Sequence, residues 1–119
     1  MGNRMVILGG GESGAGAALL AKREGYEVFL SDESSLKEIY RNELQMAGIE
    51  FEEGKHTEEK ILNADEVVKS PGIAEKNKMV QQIRASGIDI ISEIELAYRL
   101  APEGTVCRVL MPDTLMPLA

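Results

Sequence analysis

A glycine-rich turn near the start of the sequence could bind a phosphate group. Residues 9–14 read Gly-Gly-Gly-Glu-Ser-Gly, after a short apolar run and before a run of small residues. Gly9 allows a tight turn out of a buried strand, Gly11 leaves the backbone open to a pyrophosphate, and Gly14 lets the next helix lie close to the strand. The N-terminus of that helix offers unpaired N–H groups and a partial positive charge to an anion. The pattern therefore predicts a nucleotide-type ligand.

Two further loops are predicted to open on the same edge of the fold. Asp32 follows the second apolar run about 18 residues beyond Gly14, near the spacing expected for an acid that faces a ribose hydroxyl. The segment Ser70-Pro71-Gly72 ends a later strand, and its hydroxyl and turn N–H groups suit a ligand contact. Because ligands of open α/β sheets bind outside the carboxyl ends of the strands, we expect the three loops to form one site.

The other polar residues indicate neither a catalytic nor a metal site. His56 has no metal-ligand spacing around it and is predicted to be a surface residue. Cys107 lacks a partner histidine and is predicted to be a buried or incidental thiol. Glu93 and Glu95 are predicted to lie at a helix cap and on a helix surface. A group of acids is predicted to form a solvated face: Glu50, Glu52, Glu53, Glu58 and Glu59.

Strands alternate with helices along residues 1–100. The apolar periodicity predicts helices over about 35–47, 58–62, 76–86 and 93–100. Ser34 or Ser35, Thr57 and Ser92 are the predicted N-caps. Five strands are predicted, of which the one near residues 49–51 lies at an edge. This order predicts an α/β fold: a Rossmann-like, doubly wound, mainly parallel sheet with helices on both faces.

Composition limits the classes of partner. The chain has 119 residues, which suits one domain, and a formal net charge of −7 without a Lys/Arg cluster, which argues against a nucleic-acid surface. No apolar run reaches the roughly 18 residues that a membrane span requires. The single cysteine excludes an internal disulfide and fits a reducing compartment. We therefore expect a cytoplasmic protein with neither nucleic-acid nor membrane partners.

The assembled motifs resemble the N-terminal domain of the Mur ligases, above all the branch that adds D-glutamate. The segments that carry the resemblance are 6–14, 31–32, 54–56, 64–73 and 90–96. Many dinucleotide enzymes share the glycine turn. The Ser-Pro-Gly-Ile turn over residues 70–73, followed by an Ile-Glu-Leu helix, is far more particular. The resemblance covers about residues 4–100.

This resemblance implies that the domain binds the UDP part of UDP-N-acetylmuramoyl-L-alanine. The glycine turn would contact the pyrophosphate, the residues after the second strand would lie by the uracil and ribose, and the later turn would line the opposite wall. The implied UDP-binding residues are Gly11, Glu12, Ser13, Gly14, Asp32, Glu33, Ser34, Ser70, Pro71 and Gly72. Family members often have a threonine and an arginine after the acid of the second strand. This chain has Glu33 and Ser34 there, so it lacks that cation.

Residues 101–119 depart from the family and are predicted to be a linker and a tail, with 106–111 as one possible strand. In the family, a similar strand leads into a glycine-rich ATP-binding loop with a lysine, then into a central ATPase domain and a C-terminal amino-acid domain. Neither the glycines nor the lysine are present here. The resemblance thus implies ATP and magnesium only in the full-length family enzyme, and predicts that this chain alone holds no cofactor and catalyses no ligation.

Two alternatives stay open at the level of sequence. A stand-alone, regulatory NAD-binding module would use the glycine turn and Asp32 equally well, although it has no need for the turn at residues 70–73. A domain that folds but binds no ligand without its partner domains is the other possibility.

Overall fold

The computed structural model describes residues 3–100, in which strands and helices alternate. The strands are β1 (Arg4–Leu8), β2 (Glu27–Asp32), β3 (Glu50–Glu53), β4 (Glu66–Lys69) and β5 (Asp89–Ser92). The helices are α1 (Glu12–Arg23), α2 (Glu38–Met46), α3 (Glu58–Ile61), α4 (Lys78–Ala85) and α5 (Glu93–Leu100). The possible strand at 106–111, Cys107 and the predicted tail lie outside the described residues.

All five strands run parallel in the order β3-β2-β1-β4-β5. This confirms the predicted fold class and the predicted edge position of β3. The chain adds β2 and β3 on one side of β1, and then crosses over to add β4 and β5 on the other side. The order in which strands are added therefore reverses at β1. Leu8 is in register with Ser31 of β2 and with Lys69 of β4. The three loops singled out in the sequence therefore leave the sheet side by side, at its switch point.

The sheet is buried on both faces, as parallel sheets are. Met5 and Ile7 of β1 point into one apolar cluster with α1 and α5, while Val6 and Leu8 point into a second cluster with α3 and α4. Every one of these four side chains is fully buried. Each contributes roughly 1.5–3 kcal/mol by its removal from water, so the central strand is a firm base for the loops at its end.

Two helices begin later than the periodicity predicts. The N-cap of α2 is Lys37, so the predicted caps Ser34 and Ser35 are wrong. The reason is that the Ser34 N–H donates to Oδ1 of Asp32 (2.8 Å), which makes these residues a turn instead. The N-cap of α4 is Asn77, whose Oδ1 accepts a hydrogen bond from the Met79 N–H.

The other two predicted caps differ in outcome. Oγ of Ser92 accepts a hydrogen bond from the Glu95 N–H (3.0 Å), which confirms the predicted cap of α5. Thr57 is the N-cap residue of α3, but its side chain makes no cap hydrogen bond and donates to Glu52 instead. Within residues 3–100 no helix is both long and apolar enough to cross a membrane.

Candidate functional site

The glycine turn brings three parts of the chain into close approach. Gly9 has a φ of +102°, a left-handed backbone conformation that favours glycine, and its N–H donates to the Ser31 carbonyl (2.9 Å). A Cβ on Gly9 would lie 2.8 Å from Cβ of Ser70. A Cβ on Gly14 would lie only 1.9 Å from the Gly9 carbonyl oxygen. Both glycines are thus required by space, as the sequence pattern predicts.

The N-terminus of α1 is open to an anion. Gly11 is its N-cap residue, and no side chain caps this end of the helix. A Cβ on Gly11 would find no atom within 4 Å, so the space in front of the turn is empty of protein. The first N–H groups of a twelve-residue helix therefore face this space with the positive end of the helix dipole.

Asp32 ties the glycine turn to the end of β2. One carboxylate oxygen, Oδ2, accepts the Gly10 N–H (2.7 Å), and the other, Oδ1, accepts the Ser34 N–H (2.8 Å). A carboxylate has about four acceptor sites, so a half-buried Asp32 keeps capacity for a ligand hydroxyl. The sequence predicts the position of this acid, but not its hydrogen bond to Gly10.

A groove of about 240 Å³ lies in front of this turn. Among its lining residues are the predicted Gly11, Glu12 and Asp32. It is also lined by Lys37 and Tyr40, which the sequence does not single out because they lie five and eight residues beyond Asp32, at the start of the next helix. We refer to this space as the turn groove.

The Ser70 turn lies across the switch point from the glycine turn. The Ser70 N–H donates to the Leu8 carbonyl (3.1 Å), and Oγ of Ser70 accepts from the Gly72 N–H (3.3 Å). The Lys69 ammonium donates to the Ile73 carbonyl (2.8 Å). Pro71 and Gly72 are exposed. The turn is held at both ends and presents its tip to solvent.

The predicted residues do not all line one groove. Glu33 lines a separate cleft of about 480 Å³, together with Lys55, His56 and Lys78. Ser34 is exposed, Ser13 is half-buried and Gly14 is buried, and none of the three lines either cleft. Asp32 lines the turn groove and Glu33 lines the other cleft, so the two clefts meet the chain on either side of the bend that follows β2.

The prediction that His56 is a surface residue is wrong. Its side chain is 9% exposed, and its Nδ1 lies 2.6 Å from Oγ of Ser31. The same Ser31 hydroxyl donates to Glu52 (2.8 Å), which also accepts the Thr57 N–H (2.7 Å) and hydroxyl. We call Ser31, Glu52, His56 and Thr57 the β2–β3 polar cluster.

The predicted solvated acidic face is wrong for two of its members. Burial raises the pKa of Glu52, but hydrogen bonds from Thr57 and Ser31 outweigh it, so the pKa lies below the ordinary value. Glu53 accepts hydrogen bonds from the Arg41 guanidinium (2.9 Å) and the Leu36 N–H (2.7 Å), and Arg41 lowers its pKa. Because β3 is an edge strand, these two carboxylates can accept hydrogen bonds from the loops before α2 and before α3.

Glu93 lies at the start of α5, next to the Ser92 cap, but the prediction that it is a surface residue there is wrong. Glu93 is 4% exposed, and its Oε2 has no hydrogen-bond partner. Burial raises the pKa of Glu93 to about 7, although the Lys69 ammonium and the Ser13 hydroxyl oppose the rise. Its position at the end of β5 brings it to the same edge as the glycine turn. No local pattern distinguishes it from the exposed Glu95.

The parallel sheet, its strand order and the glycine turn after β1 define a Rossmann-like α/β domain. The family described as "MurD N-terminal domain" matches residues 4–79. The chain belongs to this family.

Two relatives agree with this family, and a solved structure shares the fold. The chain is 58% identical over 99 residues to UDP-N-acetylmuramoylalanine–D-glutamate ligase of Cytophaga hutchinsonii, covering 83% of this chain and 22% of that protein. It is 53% identical over 104 residues to the enzyme of the same name from Bacteroides fragilis, covering 87% and 23%. The murein peptide ligase Mpl from Psychrobacter arcticus shares the fold, with a TM-score of 0.73, 23% identity, and coverage of 81% and 20%. The chain therefore spans about a fifth of the length of these proteins.

Proposed function

We propose that this domain binds the UDP part of a UDP-linked muramoyl precursor, UDP-N-acetylmuramoyl-L-alanine, at the carboxyl edge of its sheet. The observation that carries the proposal is the open, uncapped N-terminus of α1 beside Asp32. The names of the D-glutamate ligases that the chain matches give the ligand its chemical identity.

The pyrophosphate would lie against the start of α1. The N–H groups of Glu12 and Ser13 and the Ser13 hydroxyl are donors at that end, and the space in front of Gly11 is free of protein. Local donors matter here because the net charge of −7 does not attract an anion. Lys37 on the turn groove supplies a positive charge that the positions after Asp32 lack.

The nucleoside would occupy the turn groove. Asp32 retains acceptor capacity for the ribose hydroxyls. Half-buried Tyr40 offers a ring face to the uracil. We assign no contact to Glu33, since it lines the other cleft. The Ser70 turn would form the opposite wall, toward the sugar.

We further propose that the domain serves an ATP-dependent amide ligase of the cytoplasm as its substrate-holding part. It covers 22% of the C. hutchinsonii ligase. ATP, magnesium and D-glutamate would be bound by regions of such enzymes that have no counterpart in residues 3–100. On this basis the described part of the chain binds the precursor but does not ligate it.

Titration calorimetry with UDP-N-acetylmuramoyl-L-alanine, with NAD as the comparison, tests the proposal. We expect the UDP ligand to bind and to raise the Tm, and NAD to do neither. In Gly11→Ala, the new methyl group enters the space proposed for the pyrophosphate, so affinity should fall at least about tenfold while stability changes by about 1 kcal/mol or less.

Ser86→Ala, an exposed position at the far end of α4, is the matched control and should bind as the wild type does. Tight NAD binding without a response to the UDP ligand would contradict the proposal and favour the NAD-binding module. A flat response to both ligands would favour a domain that binds nothing alone.

A further inference from the structure

Glu93 is a buried polar group that the fold itself does not explain. It is the first residue of α5 and is 4% exposed, and its Oε2 has no hydrogen-bond partner. An unpaired buried acceptor costs roughly 1–3 kcal/mol. Such groups are rare in folded proteins, and each calls for a physical explanation.

The surroundings of Glu93 connect it to the proposed pyrophosphate site. A Cβ built on Gly14 would lie 3.7 Å from Oε2, so this oxygen is aimed at the first turn of α1. The Ser13 hydroxyl is close enough to the same carboxyl to lower its pKa. Glu93 therefore lies directly behind the serine that would donate to a phosphate oxygen.

The charged groups around Glu93 favour neither its ionised nor its protonated form strongly. Lys69 faces it from β4, but the Lys69 ammonium also donates to the Ile73 carbonyl (2.8 Å) and lies 3.6 Å from Glu75. Two acids lie on the adjoining helix starts: Glu95 on the first turn of α5, two residues from Glu93, and Glu12 on the first turn of α1, next to Ser13. Because the pKa of Glu93 is about 7, both of its forms are populated near neutral pH.

Building on the proposed function, we propose that Glu93 positions the Ser13 hydroxyl and takes up one proton from solvent when a pyrophosphate binds at the start of α1. An ionised carboxylate only accepts hydrogen bonds, so it holds the Ser13 hydrogen for itself. A protonated carboxyl donates to Oγ of Ser13 and leaves the Ser13 hydrogen for the phosphate. The proton also removes a negative charge from behind an anion.

The affinity for UDP-N-acetylmuramoyl-L-alanine at pH 6 and pH 8 tests this coupling. The ligand keeps a constant charge over this range, since both phosphates are esterified. The wild-type Kd should rise about tenfold from pH 6 to pH 8, because the unliganded carboxyl ionises in this range. Glu93→Gln carries a permanent amide donor, so its Kd should stay within about twofold. Glu95→Gln, on the exposed side of the same helix, should retain the wild-type slope.

Calorimetry of the wild type in two buffers of different ionisation enthalpy measures the proton directly. At pH 7.5 we expect an uptake of roughly two-thirds of a proton per ligand. This measurement decides the matter even if Glu93→Gln fails to fold. Binding without proton uptake, or equal pH slopes in the wild type and Glu93→Gln, would overturn the role of Glu93 and leave the proposed function standing. Absence of binding at every pH would overturn the proposed function itself.

Discussion

Two buried glutamates lie near the carboxyl ends of the two edge strands, β3 and β5, and have opposite environments. Glu52, at the end of β3, accepts hydrogen bonds from Ser31 and Thr57, and its pKa lies below the ordinary value. Glu93, after β5, has an oxygen without a partner, and burial raises its pKa to about 7. Both side chains are nearly closed to solvent, with exposures of 8% and 4%. Glu93 lies deeper in the protein, so burial raises its pKa more, and hydrogen bonds from Thr57 and Ser31 outweigh burial only at Glu52.

This difference separates a structural carboxylate from a candidate for function. Glu52 is ionised and fully used in holding the loop at residues 54–57 to β2. Glu93 lies beside the uncapped start of α1, and one of its carboxyl oxygens lacks a hydrogen-bond partner. Groups with a perturbed pKa cluster at functional sites, so Glu93 is the better candidate for a group whose protonation changes when a ligand binds.

Removal of Glu52 should have the largest effect on folding. In Glu52→Ala both donors of Thr57 lose their acceptor and the Ser31 hydroxyl loses one of its partners, so the free energy of unfolding should fall by about 3 kcal/mol. Urea denaturation at pH 7 measures this change. Glu50→Ala, an exposed acid on the same strand that pairs with Lys60, is the control and should change stability little. Equal losses in the two variants would show that the β2–β3 polar cluster is not structural.

Glu93→Gln should have a smaller effect with the opposite sign. The folded-state pKa of Glu93, about 7, lies above the unfolded value of 4.5, so the wild type loses stability as the pH rises from 4.5 to about 7. The variant avoids this loss and should be more stable than the wild type by about 2 kcal/mol at pH 8, and little changed at pH 4.5. Urea denaturation at both pH values measures the difference. A variant that is less stable at pH 8 would break the contrast between the two acids.

Ser13→Ala should have the smallest effect. The Ser13 hydroxyl favours the charged form of Glu93, so its loss should move the pKa of Glu93 further above about 7. Carboxyl ¹³C shifts recorded against pH measure the titration. Ser35→Ala, on the turn groove away from Glu93, should leave it unchanged. A lower pKa of Glu93 in Ser13→Ala would contradict the assigned contact.

The sequence was sufficient for the fold and for the glycine turn because both depend on local signals. Alternating apolar runs predict the five strands, and the spacing of Gly9, Gly11 and Gly14 follows from the geometry of one strand–helix junction. Parallel pairing then brings the ends of β1, β2 and β4 together. Helix starts were less predictable where Asp32 and Asn77 competed for backbone N–H groups.

The buried acids could not be predicted from local pattern. Glu52 reaches Ser31 across 21 positions in sequence, and His56 reaches the same serine across 25. Glu93 lies beside the start of α1 only because β4 pairs with β1 and β5 pairs with β4. Such contacts depend on tertiary structure. Neither the identity of a charged residue nor that of its sequence neighbours gives an indication of them.

Backbone amide shifts of the ¹⁵N-labelled chain, recorded during titration with UDP-N-acetylmuramoyl-L-alanine at pH 6, test the central claim most directly. We predict saturable shifts at Gly10 to Gly14 and at Asp32, with small changes at the β2–β3 polar cluster. Shifts confined to the cleft around Lys55 and His56, or no shifts at millimolar ligand, would contradict binding at the glycine turn.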